Sequence, residues 1–311
     1  MDKNILEIGA DALRKVALNE DAKTFLLENE RLYSVIKKAA NRYIGGETLK
    51  EAIATIQDLN QKGYGVTTDF MGESVRMESE AYQAAEEFLR LAQAINTYSI
   101  NSSISLDLSH IGLLISHEMA AHHLDRICEV AAQSNQEVII SMEGHDRIDA
   151  ILDIYKKTLK RHTNLGITLQ AYLYRTHDDF KDLIQLPGSI RIVKGAYDTP
   201  KSISMERGDT LDAQYMNYVE QLISKNHPCS IATHDEKIHK ATSELIRQYQ
   251  PSNFVLERLL GIRNESLDEY KDRGLPCRIY VVYGKEWYLY LCNRIAEYPL
   301  AIFQAVSDIA S

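Results

Sequence analysis

The chain is missing the features that mark several common protein classes. It has no Lys/Arg-rich run. Its 35 Lys and Arg are outnumbered by 44 Asp and Glu, giving a net charge of −9 and an isoelectric point near 5.6. That balance excludes nucleic acid as the main partner, because phosphate binding needs a cationic surface. No apolar run approaches ~20 residues, the length of a membrane-spanning helix. The opening residues, MDKNILEIGADALRKVALNEDAK, carry no apolar core before a cleavage site, so no secretory signal is expected. Cys128, Cys229, Cys277 and Cys292 show neither CxxC nor other metal-type spacing. Free buried thiols in a reducing cytoplasm are expected, and no metal site. The GxGxxG fingerprint of dinucleotide-binding sheets is also absent.

What is present is ordinary globular composition, 45% hydrophobic and 25% charged, over 311 residues. That length suits one large α/β barrel or two smaller domains. Residues 1–62 read as helices only: 2–17, 21–27, 31–43 and 48–61, with Gly45-Gly46 and Gly63 as stops. From residue 63 the texture alternates. Short β-rich runs fall at 64–70, 103–108, 137–142, 166–172, 189–195, 229–233, 253–257 and 277–282. Amphipathic segments lie between them, such as 78–95, 116–132, 148–160 and 214–225. Eight strands with helical crossovers in about 250 residues predict a (β/α)8 barrel over 63–311, with 1–62 as a leading helical segment. No linker or low-complexity tract divides the chain.

Barrel chemistry collects at the C-terminal ends of the strands. Here those ends carry Asp69, Asp107, Glu143, Gln170, Lys194, Thr233-His234-Asp235, Glu257 and Tyr280. So many polar ends argue for an enzyme. In IRIVKGAY (190–197), Arg191, Lys194 and Gly195 suit a cofactor phosphate or an electron-rich ring. ATHDE (232–236) precedes a helix whose N-terminus suits a pyrophosphate. Gln170 in QAYLYR offers an amide that can both donate and accept. His122-His123 reads as a surface pair. After Gly284, the run YGKEWYLYLCNRIAEYP reads as a helix that stacks Tyr290, Arg294 and Glu297 on one face. Such a face can grip a small polar ligand, or it can be a simple Arg294–Glu297 ion pair.

Taken together, YGVTTDFMGES, ISMEG, GITLQAYLYR, IRIVKGAY, IATHDE, LLGIR and YGKEWYLYLCNRIAE resemble the proline dehydrogenase family, in the family's order over residues 64–300. The resemblance implies FAD across the C-terminal mouth of the barrel. Arg191 would hydrogen-bond the flavin near N5, and Gln170 would read the isoalloxazine edge. Val193, Lys194, Gly195 and Ala196 would support the flavin and its pyrophosphate side, with Thr233 and His234 also touching the cofactor. Tyr280 and Leu259 would wall the substrate pocket. The last helix would lower Tyr290, Arg294 and Glu297 onto the substrate. The implied chemistry is hydride transfer from the carbon beside the ring nitrogen to flavin N5, giving an imine. The electrons would then pass to a quinone or to oxygen.

Two departures fall on the substrate carboxylate. The family's last helix reads Tyr-x-x-Arg-Arg-x-x-Glu, and here Asn293 takes the place of the first arginine. Aligning SISLDLSHIGL on the family's second strand puts Asp107 where a lysine pairs with the carboxylate. The family pair carries two positive charges, whereas Asp107 with Asn293 carries one negative, a swing of three units. At ~1.5–3 kcal/mol per charged hydrogen bond lost, affinity for free proline is expected to fall by orders of magnitude. Ser141 also replaces an acid before Met-Glu, and Glu257-Arg258 replaces neutral residues, and these changes are expected to cluster at the barrel mouth. The expected substrate is a small or carrier-tethered cyclic amine whose carboxylate is absent, masked, or replaced by a cation facing Asp107. Arg191, Tyr280, Arg294 and Asp107 are the catalytic candidates. The alternatives are a true L-proline dehydrogenase and a non-catalytic flavin-binding or partner-binding scaffold.

Overall fold

Residues that alternate along each strand close the sheet into a barrel, apolar outside and polar inside. The computed structural model describes residues 3–310 apart from Asp198. Asp2, where the first expected helix began, lies outside the described residues. Four helices lead: α1 (Lys3–Ala17), α2 (Glu20–Glu28), α3 (Glu30–Ala40) and α4 (Leu49–Gln61). Strands and helices then alternate: β1 (Gly65–Phe70), α5 (Glu78–Thr97), β2 (Ser102–Leu106), α6 (His117–Ala132), β3 (Val138–Ile140), α7 (Ile148–Leu159), β4 (Leu165–Gln170) and α8 (Thr176–Leu183). The series continues with β5 (Ile190–Val193), α9 (Asp209–Ser224), β6 (Cys229–Ala232), α10 (Glu236–Tyr249), β7 (Phe254–Leu259), a 3-10 turn (Asn264–Leu267), α11 (Asp268–Asp272) and β8 (Cys277–Tyr283). Two helices close the chain, α12 (Trp287–Glu297) and α13 (Ala301–Ala310). The eight strands pair in sequence order, all parallel, and β8 closes onto β1 with Thr67 opposite Tyr280. The expected (β/α)8 barrel is the fold, and its strand limits agree within about two residues.

The outward positions are Val66, Ile104, Leu106, Val138, Ile140, Ile167, Ile190, Ile192, Ile231, Leu256, Ile279 and Val281, all buried under the helices. Each such side chain contributes about 1.5–3 kcal/mol when taken fully out of water. The inward positions differ from the branched aliphatics usual in a barrel of this kind. Low in the barrel, Arg278 of β8 and Ser189 before β5 both bond Glu137 before β3. Above them, Thr67 of β1 and Ser230 of β6 both donate to Glu257 of β7. The next layer holds Ser105, Ser141, Thr168 and Arg191. Buried polar groups are tolerated here because each finds partners across the barrel.

The leading helices pack against both ends of the barrel sequence. A capping box starts α4, with Thr48 accepting from the Glu51 amide and Glu51 accepting from the Thr48 amide. The helix then packs over β1 and β8, where the barrel closes. The chain reaching it runs tight over β8: the Gly45 amide donates to Val282 O at 2.7 Å, and a Cβ on Gly45 would lie 2.5 Å from Val281. Helix α1 lies on α12, and α13 lies on α3. Arg42 grips Asp308 through two 2.6 Å bonds. Glu47 accepts from Lys37 at 2.6 Å, from Trp287 Nε1 at 2.7 Å and from the Tyr33 hydroxyl. All four cysteines are buried and free. Among the described residues, no helix is long and apolar enough to cross a membrane.

Candidate active site

A cavity of about 2980 Å³ opens at the C-terminal ends of the strands, far larger than the roughly 300–1,000 Å³ of a small-ligand pocket. Its floor is the upper barrel layer. Arg191, on β5, is buried. Its Nε donates to Thr168 at 2.9 Å, and its Nη2 donates to Ser105 at 2.9 Å and Ser141 at 3.2 Å. Its Nη1 has no partner. The guanidinium carbon stands 5.0 Å from the centre of the Tyr280 ring. Tyr280 in turn donates its hydroxyl to Asp69 at the end of β1, at 2.5 Å. Gln170 ends β4, and its Nε2 donates to the carbonyls of Met142 and Glu143 at 3.3 and 3.4 Å. Its Oε1 is buried and unpartnered.

One wall is acidic. Asp107 follows β2 and is hydrogen-bonded to Ser141. Burial, and then the nearby Glu143, Asp69 and Glu73, raise its proton affinity well above the usual carboxyl range. Burial likewise pushes Asp69 up to about 7, against the opposing pull of Tyr280 and Arg191. Glu143 is enclosed by donors. It accepts from the Ser109 amide at 2.9 Å and from Arg147 at 2.7 Å.

The opposite wall comes from the ends of β5, β6 and β7. Val193 and Leu259 are the last residues of β5 and β7, and both line the cavity. Lys194 is held by Asp212 at 2.5 Å and Asp235 at 2.9 Å. Gly195 has φ +109, and a Cβ there would sit 2.1 Å from the Tyr172 ring. The glycine is therefore already required by Tyr172 and by the backbone. Ala196 is exposed at the rim. Thr233 is buried, and its carbonyl is bonded to His239 at 2.9 Å. His234 has an unpartnered Nδ1. Burial, then Arg258 and Arg294, lower its pKa to about 3, so its ring is neutral at working pH. The α10 N-terminus expected to face a pyrophosphate is capped by Asp235, which accepts from the Lys237 amide at 2.9 Å.

Helix α12 supplies the roof. Tyr290, Asn293, Arg294 and Glu297 all line the cavity. The ion-pair reading of this helix face is seen directly. Arg294 donates to Glu297 at 2.7 Å and also stacks over the Tyr290 ring at 5.0 Å. The Tyr290 hydroxyl and Arg294 Nε are buried without partners.

A model of the family described as proline dehydrogenase matches residues 52–298. The chain is 36% identical to proline dehydrogenase 1 of Bacillus subtilis (strain 168) over 283 residues, which cover 88% of this chain and 93% of that protein. Proline dehydrogenase 2 of the same strain is 33% identical over 263 residues, with 84% and 87% covered. The chain belongs to the proline dehydrogenase family. As a member, it is an FAD-dependent oxidoreductase that acts on a CH–NH donor. The fold also matches proline utilization A (PutA) from Bdellovibrio bacteriovorus, inactivated by N-propargylglycine, with a TM-score of 0.80 at 19% identity. That match covers 94% of this chain, which spans little more than a third of that protein, 37%.

Two expectations about this proline dehydrogenase family site are corrected. Glu257 and Arg258 edge the cavity but do not stand free at its mouth, because both are buried and bonded. Glu257 points into the barrel toward Thr67 and Ser230, so its neighbour on the strand must point outward. Arg258 is fully buried beneath α10, bonded to His239 at 3.2 Å, Glu236 at 2.7 Å, Arg263 O at 3.0 Å and Ser266. Second, the charge of Asp107 is conditional. While it holds its proton, the swing in charge relative to a Lys–Arg pair is two units rather than three. His123, read as a surface residue, is also buried and bonds Ile111 O at 2.9 Å, whereas His122 is exposed. The role of Asp69 was missed because its partner, Tyr280, is 211 residues away.

Proposed function

We propose that the chain oxidises the C–N bond of a proline-like cyclic amine whose carboxylate is absent, masked as an amide or thioester, or replaced by a cationic group. The carrying observation is the acidic wall. Asp69, Asp107 and Glu73 line one side with Glu143 enclosed behind them, while Arg294 is already bonded to Glu297. A cationic or neutral ligand is favoured against that wall, where a free carboxylate would meet acids rather than donors.

The residues fit FAD. Arg191 Nη1 and Gln170 Oε1 are a buried donor and a buried acceptor without partners, both facing a cavity with room for a dinucleotide and a small substrate. Leaving such atoms unpaired is costly, so they mark a ligand position. Arg191 and Gln170 would hold the flavin ring. Val193, Lys194, Gly195, Ala196, Thr233 and His234 would line the rest of the cofactor, with Lys194 exchanging a carboxylate for a phosphate. When bound, FAD supplies the hydride acceptor for oxidising the C–N bond to an imine. Arg191 adds a fixed positive charge at the place where negative charge develops. Tyr280, Leu259 and Tyr290 exclude water and fix the ring, and Asp107 selects the substituent.

A second reading, oxidation of L-proline itself, is favoured by the names of the Bacillus subtilis relatives. It is also favoured by the raised proton affinity of Asp107, which when protonated is a neutral donor to a carboxylate. The deciding experiment is anaerobic flavin bleaching against L-proline, prolinamide, a carrier-tethered prolyl group and cationic cyclic amines. The purified protein should be yellow and release FAD on heating. Fastest bleaching by free L-proline at neutral pH would decide for the second reading.

A further inference from the structure

We propose that Asp69 accepts the proton that the substrate's ring nitrogen must lose before hydride can leave the neighbouring carbon. The inference rests on the family's action on a CH–NH donor, and it holds for either substrate reading above.

A cyclic secondary amine is a cation at neutral pH, and its lone pair is tied up in an N–H bond. First the N–H bond breaks, and its proton passes to a carboxylate oxygen of Asp69. The freed lone pair then forms the C=N bond as the adjacent C–H hydrogen leaves with its electron pair. That pair reduces the FAD the family's activity supplies. The product departs as an iminium ion or loses its remaining N–H proton to water.

Among the carboxyls of the acidic wall and the enclosed Glu143 behind it, Asp69 is the one placed for this. Glu143 has both oxygens engaged, by Ser109 and Arg147. Glu73 is exposed at the rim. Burial, and then its acidic neighbours, raise Asp107 well above the usual carboxyl range, and it is already hydrogen-bonded to Ser141. Asp69 stands on the floor next to Arg191. One oxygen is fixed by the Tyr280 hydroxyl at 2.5 Å, and this phenol lies beneath the Arg191 guanidinium.

The groups facing Asp69 come from every side. Tyr280 and Tyr283 lie on β8, Arg191 on β5, Asp107 after β2, and Tyr290 on α12. The tyrosines stay protonated, because burial raises all three. Burial raises Asp69, while Tyr280 and Arg191 lower it, leaving it near 7. A general base is most useful near the working pH.

The test is the pH profile of anaerobic flavin reduction in three proteins, with infrared titration of the carboxyl band. Wild type should show a limb near pH 7, with the rate rising as Asp69 ionises. Asp69→Asn should lose that limb and slow by roughly 10²–10⁴-fold. Its infrared spectrum should lose the band that titrates near 7 and keep the one from Asp107. Tyr280→Phe removes a bond to the charged form, so its limb should persist at higher pH. A merely structural role for Asp69 would lower both variants without moving either limb. Retention of the limb in Asp69→Asn, or unchanged reduction in that variant, would overturn the proposal. Should Asp69→Asn fail to fold, the position of the limb in Tyr280→Phe decides: an unmoved limb rejects Asp69.

Discussion

The carboxylate argument makes the sharpest prediction, through the paired change Asp107→Lys with Asn293→Arg. Both positions line the same cavity, one after β2 and the other on the roof helix. Each new cation can make one charge-assisted bond to a carboxylate, worth about 1.5–3 kcal/mol. Two such bonds amount to roughly 3–6 kcal/mol, or about 10²–10⁴-fold in affinity at 1.4 kcal/mol per tenfold. The upper figure is an overestimate, because the new lysine also meets Glu143, Asp69 and Glu73. The assay is the half-saturating concentration of L-proline and of pyrrolidine in anaerobic flavin reduction, measured from pH 5 to 9. The proton on Asp107 sets the signs. In wild type, a carboxylate substrate should bind more weakly as pH rises and Asp107 ionises, while a cationic one should bind more tightly. The double variant should reverse the preference and lose this pH dependence. If wild type uses free L-proline best at every pH and the double change brings no gain, the charge reasoning is wrong. The carboxylate would then rest on Arg294.

Three further outcomes follow from the geometry. Arg191→Met should leave the fold intact and slow flavin reduction by roughly 10²–10³-fold, the usual cost of removing one electrostatic stabiliser; unchanged single-turnover kinetics would rule out its role. Arg258→Met should lose about 1–3 kcal/mol of stability in urea unfolding, because it strips a donor from Arg263 O and Ser266, while the half-exposed Glu236 is rehydrated. Its turnover per folded molecule should be unchanged, and a selective loss of substrate affinity would return Arg258 to the site. Glu47→Gln weakens the bonds from Lys37, Tyr33 and Trp287 and should free the start of α12. We expect a raised KM with flavin content retained, and equal KM values would show that α12 is held elsewhere.

How much of this was legible depended on the range of the interaction. Strands such as Ile190–Val193 announce themselves through β-branched residues and local alternation, so the barrel could be read directly. The helix face of Tyr290, Arg294 and Glu297 was also legible, because i, i+4 and i+7 are fixed by helix geometry. What could not be read was any property set by residues distant in sequence. The raised proton affinity of Asp107 depends on burial and on carboxyls from two other segments. The Tyr280–Asp69 bond joins the last strand to the first. The direction of Arg258 could have been found, since an inward Glu257 forces its neighbour out. That signal was obscured because barrel interiors are usually apolar, and an acid inside one was not anticipated.

The packing of α1 on α12 and of α13 on α3 bears on synthesis. Helices α1 and α3 are made well before their partners α12 and α13. Until then Leu26, Ala39, Ala40 and Tyr43, which end buried in that second core, stay uncovered. At ~5–20 residues per second, that interval lasts many seconds. The barrel cannot close either until β8 arrives to pair with β1. A nascent chain of this protein thus carries apolar helices and an open strand edge until β8, α12 and α13 have been made. Its demand for chaperones should be set by elongation rate more than by final stability.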